Sequence, residues 1–255
     1  MRKIALTSLL AVVATGAAHA ANRIDGNPLY MPQKGHFYSE TGLSSHTENA
    51  EDWALGEEFG YGLTNNIAVN VKTSVSEQGS FDHASWDDMS FGLTARLFDM
   101  GAWKADVYGG YGVAPIWGDH QPFLDEDYTK YTWTIGVRGG YQTGRFTLAG
   151  HVDFNYTGGE SFNWDEEGMH VWKAGADAQL VINGHWNLVA GAEYMGISDE
   201  GVKDAGTWTG MFGVNYNIDP TKFIGLYISD TASHKTGDWK IDDGIGFGVK
   251  FGIEF

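Results

Sequence analysis

Apolar and polar residues alternate one by one through most of this chain. A period of two confines it to β-strands with two chemically different faces. The last residues show the pattern most clearly: Ile245, Phe247, Val249, Phe251, Ile253 and Phe255 share one face, while Gly246, Gly248, Lys250, Gly252 and Glu254 share the other. Met89, Phe91, Leu93, Ala95 and Leu97 stand in the same way against Ser90, Gly92, Thr94 and Arg96, and similar runs occupy 145–156 and 207–218. Beyond residue 21 no helical spacing and no apolar stretch of the length a membrane helix needs interrupts it.

The chemistry of the two faces decides what they touch. In a soluble sandwich the apolar faces would form a core and the polar faces would carry abundant Lys and Glu. Here the polar face is built from Gly, Ser, Thr and Asn, and only 19% of all residues are charged. The chain carries 36 Gly, 10 Trp, 12 Tyr and 14 Phe, and aromatics collect near strand ends at Trp53, Trp86, Trp103, Tyr128, Tyr156, Trp186, Trp208 and Phe255. Rings at two levels, a greasy outer face and a small polar inner face are the pattern of a transmembrane antiparallel up-and-down β-barrel.

Turns give the strand count. Tight connections are expected at 64–66, 99–102, 143–144, 183–185 and 219–221, where Asn, Asp, Gly, Thr and Pro suit turn geometry. Longer polar segments are expected at about 45–52, 77–88, 114–127, 157–168, 199–206 and 230–243. Their alternation predicts twelve strands with both ends on the short-turn, periplasmic side. Ten or fourteen stay open, because Glu57 falls on the face of Phe59, Tyr61 and Leu63, and the first strand, around 35–44, alternates poorly. Ahead of the barrel, Arg2 and Lys3, an apolar run over 4–17 and Ala18-His19-Ala20 form a secretory signal. The expected organisation is a signal peptide over 1–20, cleaved near Ala20, and one barrel domain over 21–255 in the outer membrane of a Gram-negative bacterium.

The terminal strand, with Phe247, Val249, Phe251, Ile253 and the final Phe255 on one face, resembles the signal by which the barrel-assembly machinery recognises its clients. With the leader, it makes the chain resemble small Gram-negative outer-membrane β-barrel proteins of the porin-like kind. The stretch Phe59-Gly60-Tyr61-Gly62-Leu63-Thr64-Asn65-Asn66 is similar to the hairpin of many such barrels. The resemblance implies a monomer surrounded by outer-membrane lipid and lipopolysaccharide.

Charge is unevenly placed. The chain has a formal charge of −17, which excludes a nucleic-acid partner, since phosphate binding needs a basic surface. With no Cys, thiolate chemistry and disulfides are excluded too. The six longer segments hold 22 carboxylates against Lys203, Lys235 and Lys240, so the outer side carries the excess acid. Solvation of exposed connections explains such runs. Oxygen-only clusters at Asp125, Glu126 and Asp127 and at Asp165, Glu166 and Glu167 would also suit loosely bound Ca²⁺ or Mg²⁺ bridging to lipopolysaccharide. No other cofactor is expected.

Parity turns the remaining charges inward. Lys72, Arg96, Lys104, Arg138, Arg145, Lys173 and Lys250 are the expected basic lumen residues. Asp106, His151, Asp153, Asp177, Glu193 and Glu254 are their counterparts. Arg96, Lys104, Arg138 and Arg145 lie near short turns, so the periplasmic half is expected to be the more basic. The function this supports is a small passive porin-like channel for small polar solutes with an acidic outer mouth. The same charges paired into braces would give a closed structural barrel that binds cations or lipopolysaccharide. A surface hydrolase ranks below both: Asp82-His83 and Asp119-His120 match omptin proteases in composition but not in motif spacing, and no Gly-x-Ser-x-Gly or His-Glu-x-x-His pattern is present. The chain is therefore expected not to be an enzyme.

Overall fold

The computed structural model describes residues 26–46, 49–77, 85–115, 129–160, 169–199, 202–236, 239–241 and 243–255. The expected signal peptide over 1–20 lies outside them. Among the described residues, fourteen strands run in chain order. The first five are β1 (Phe37–His46), β2 (Asn49–Thr64), β3 (Ile67–Glu77), β4 (Ser85–Met100) and β5 (Trp103–Pro115). β6 (Thr129–Gln142), β7 (Phe146–Glu160), β8 (Met169–Val181), β9 (Trp186–Asp199) and β10 (Val202–Asp219) follow. β11 (Lys222–Thr231), β12 (His234–Thr236), β13 (Trp239–Ile241) and β14 (Gly244–Glu254) complete the set. Twelve close into an antiparallel barrel in the order β1-β14-β11-β10-β9-β8-β7-β6-β5-β4-β3-β2, and β12 and β13 form a separate hairpin. Closure comes from the two ends: Tyr38 pairs with Glu254 and the ladder runs to His46 opposite Gly246.

All five tight turns lie where the sequence puts them, and side chains cap them. Asn183 Oδ1 accepts the N–H groups of His185 and Trp186 at 2.9 and 3.1 Å, and Asp219 Oδ1 accepts that of Thr221 at 2.8 Å. Gly101 takes φ +71° in the β4–β5 turn, a conformation that disfavours a side chain. The other rim differs from expectation. Strands run through most of 45–52 and 199–206, leaving only 47–48 and 200–201 between strands. Asp87 and Asp88, expected in a loop, belong to β4, where the register shifts and Ser76 and Ser74 donate to them at 2.5 and 2.9 Å. Polar sequence there marks the level at which strands leave the apolar belt, not the point at which they end.

The outer surface is what water would not tolerate. Leu97, Ile135 and Leu226 are 66%, 61% and 61% exposed, within a continuous apolar belt. Rings pair along both edges of the belt. Trp103 with Tyr141 and Trp186 with Tyr216 stand near the short turns, at centroid distances of 5.0 and 4.9 Å. Tyr111 with Trp133 and Tyr194 with Trp208 stand higher, at 4.5 and 5.3 Å. This is a membrane-spanning barrel with aromatic girdles.

The two sequence misfits are one feature. Glu57 does face outward, and Ser39 and Thr41 of β1, which face the same way, donate hydroxyls to its two carboxylate oxygens at 2.6 and 2.5 Å. The polar outer face of β1 that spoils its alternation is what satisfies this carboxylate.

Candidate functional site

The bore is crossed by the chain's own N-terminal segment, residues 26–35. Leu29 is completely shielded from solvent and Pro28 almost so. Gly26 sits against Asn215 and Val189 on the β9–β10 wall, at φ +78°, where a Cβ would collide with both side chains. Asn27 then folds a turn, accepting the N–H of Leu29 on Oδ1 at 2.9 Å and that of Tyr30 on its carbonyl at 3.2 Å. Tyr30 packs edge-on to Tyr38, beside the buried ring of Phe223. The segment leaves along β2: Gly35 N–H donates to Gly62 O at 2.8 Å, and the Gln33 backbone occupies the space a side chain at position 62 would need.

Two arginines of the far wall hold this strap. Arg96 Nη2 donates to Leu29 O at 2.7 Å and Arg138 Nη2 to Tyr30 O at 3.0 Å. Both are oriented by Asp106, which is 1% exposed. Its Oδ1 receives Arg96 Nε at 2.8 Å and its Oδ2 receives Arg138 Nε at 2.7 Å. A buried carboxylate with two charge-assisted partners avoids the penalty of an unpaired charge. Each guanidinium keeps further N–H groups for the strap.

The other expected lumen charges are also paired. Lys72 meets Glu58 at 3.3 Å and Lys250 meets Glu40 at 2.9 Å. At the short-turn rim, Lys104 lies 3.8 Å from Asp99 and Glu254 accepts from His36 at 3.1 Å. Arg145 is the exception: it is exposed in the β6–β7 turn, because that turn runs through 143–145 and the wall resumes at Phe146. At the periplasmic half, expected to be the more basic, Arg96, Arg138 and Lys104 are thus engaged by Asp106 and Asp99, and the two arginines by the strap as well.

A second cluster sits on the inner wall of β7, β8 and β9. His151 Nδ1 lies 3.2 Å from Asp177 and its Nε2 lies 3.1 Å from Glu193. Lys173 Nζ is 3.8 Å from Glu193, and Tyr108 hydroxyl donates to Asp153. His151, Asp153, Lys173, Asp177 and Glu193 are all buried. Above the strap, Tyr108, His151, Asp153, Lys173 and Asp177 border a chamber of about 320 Å³, whose lining also includes Pro28, Tyr30, Lys72 and Asp88. The acidic groups expected to bind Ca²⁺ or Mg²⁺, and His83 and His120, lie outside the described residues.

The fold is that of porin-like outer-membrane barrels. An outer-membrane channel from Pseudomonas putida F1 is similar with TM-score 0.62 at 9% identity, over 89% of this chain and 97% of that one. The NanC porin is similar with TM-score 0.59 at 7% identity, over 85% and 98%. The translocator domain of the autotransporter NalP from Neisseria meningitidis is similar with TM-score 0.57 at 11% identity, over 98% of both. No family model and no curated protein matches the sequence.

Sequence reasoning missed the strap, because residues 26–35 lack strand alternation and read as a leader. It also missed Glu40 and Glu58, which strand parity alone would have turned inward beside Lys250 and Lys72.

Proposed function

We propose that the protein is a porin-like channel for small polar solutes, closed in the present state by its N-terminal strap. The chamber carries this reading: its wall sets hydroxyls, amides and paired charges among glycines and apolar residues, and its floor is the strap, not a strand of the barrel. A wall of this kind exchanges hydrogen bonds with a passing solute without presenting a strong field of one sign.

In this reading the protein has no catalytic role. It is a monomer assembled by the barrel-assembly machinery, with lipopolysaccharide and its bridging divalent cations at the acidic rim. Swelling of proteoliposomes in small sugars tests the channel. Uptake faster than in liposomes holding a plugged control barrel supports it, and equal rates contradict it.

A second reading, a closed surface barrel, is favoured by one observation: Asp106, Arg96 and Arg138 bind wall and strap into a single buried network.

A further inference from the structure

We propose that the inner wall of β7 and β9 holds a divalent transition-metal site of the zinc class, ligated by His151 Nε2 and carboxylate oxygens of Asp153 and Glu193. One ligand atom from each of these buried residues lies within 4.8 Å of the others. A bound Zn²⁺ keeps nitrogen and oxygen ligands at about 2.0–2.2 Å. The adjoining chamber, which His151 and Asp153 both line, gives an ion room to arrive and to keep water in its open positions.

Three features make this more than a group of acids. Asp177 stands 3.2 Å from His151 Nδ1. When the neutral ring donates Nδ1–H to it, the lone pair of Nε2 is turned toward Glu193 and Asp153, which is the carboxylate–histidine–metal arrangement that fixes a ligand's tautomer.

Charge is the second. Asp153, Asp177 and Glu193 face Lys173, with Lys72 paired to Glu58. Beside a neutral imidazole this leaves two negative charges, the complement of a divalent ion.

Space is the third. Gly175 stands between His151 and Glu193 in the strand register, and a Cβ there would lie 2.7 and 2.8 Å from ring atoms of His151. Gly136 opposes Asp153 and Gly191 opposes Asp177, where an added Cβ would strike each carboxylate. Glycine is a poor strand former. Here it clears the wall beside His151, Asp153 and Asp177. One imidazole with two carboxylates suits Zn²⁺ and its neighbours better than Ca²⁺, which prefers oxygen alone. The site stands whether or not the strap ever opens.

The test uses the full barrel in detergent, stripped with chelator and dialysed against Zn²⁺, with heat-modifiable gel mobility as the check on folding. The expected result is one tightly held Zn²⁺ per chain. Affinity should fall at least about 10-fold in His151→Gln and Glu193→Gln, fall about 10- to 100-fold in Asp177→Asn, and stay unchanged in His185→Ala, which alters an exposed turn histidine. Absence of stoichiometric binding overturns the proposal, as does binding that survives in folded His151→Gln. If that variant does not fold, Co²⁺ decides. Visible absorption that is displaced by Zn²⁺ and altered in Asp153→Asn and Glu193→Gln supports the site, and spectra indifferent to both variants overturn it.

Discussion

The guanidinium of Arg138 meets the carbonyl oxygen of Tyr30 at 3.0 Å, so a side chain of the barrel wall holds the backbone of the segment that crosses its bore. The same guanidinium meets Asp106 at 2.7 Å. Wall charge and strap position are therefore coupled through one residue.

Replacing Arg138 by Gln removes a charged hydrogen bond to the strap and leaves Asp106 with Arg96 alone. The barrel should lose about 2–3 kcal/mol, and the segment around Tyr30 should become open to proteolysis. Urea unfolding followed by tryptophan fluorescence, with limited digestion in parallel, measures both effects. Digestion that stays as slow as in the parent would separate the strap from this anchor.

Gly175→Ala places a methyl group 2.7 Å from His151 Cε1 and 2.8 Å from Ala192 O. Overpacking of this kind should destabilise the barrel by about 1–3 kcal/mol. Gly144→Ala, with nothing within 4 Å of the new carbon, should be near neutral in the same unfolding experiment. Equal stability of the two variants would mean that the wall relaxes around the cluster.

Glu57→Gln keeps an acceptor for Ser39 and Thr41 and should stay within about 1 kcal/mol of the parent. Glu57→Lys puts a cation against lipid and strips both hydroxyls of their acceptor, so it should cost about 2–4 kcal/mol. Unfolding from lipid vesicles distinguishes them. A lysine variant as stable as the parent would remove Glu57 from the lipid-facing surface.

The period-two pattern carried the architecture because a barrel strand must change faces at every residue, and all five tight turns announce themselves through Asn, Asp, Gly and Pro. Strand ends at the outer rim were not legible, since residues such as Asp87 are polar both in a loop and on a strand above the membrane. Parity turned Arg96, Asp106 and Arg138 inward, but the register that sets both arginines opposite Asp106 on three consecutive strands is fixed only in the assembled ladder. The strap was hidden for a related reason. Residues 26–35 gain their structure from the finished wall, through Arg96, Arg138 and Gly62, and carry little local signal of their own. Arg145 shows the opposite failure: alternation was continued one residue past the turn.

Single-channel conductance of the intact barrel beside a variant lacking residues 27–33 bears most directly on a channel closed by its strap. In planar bilayers at matched protein density, the intact protein should show rare or small openings, and the shortened barrel should hold a larger, steady conductance. Equal conductance in the two proteins, or silence in both with folding verified, would contradict it.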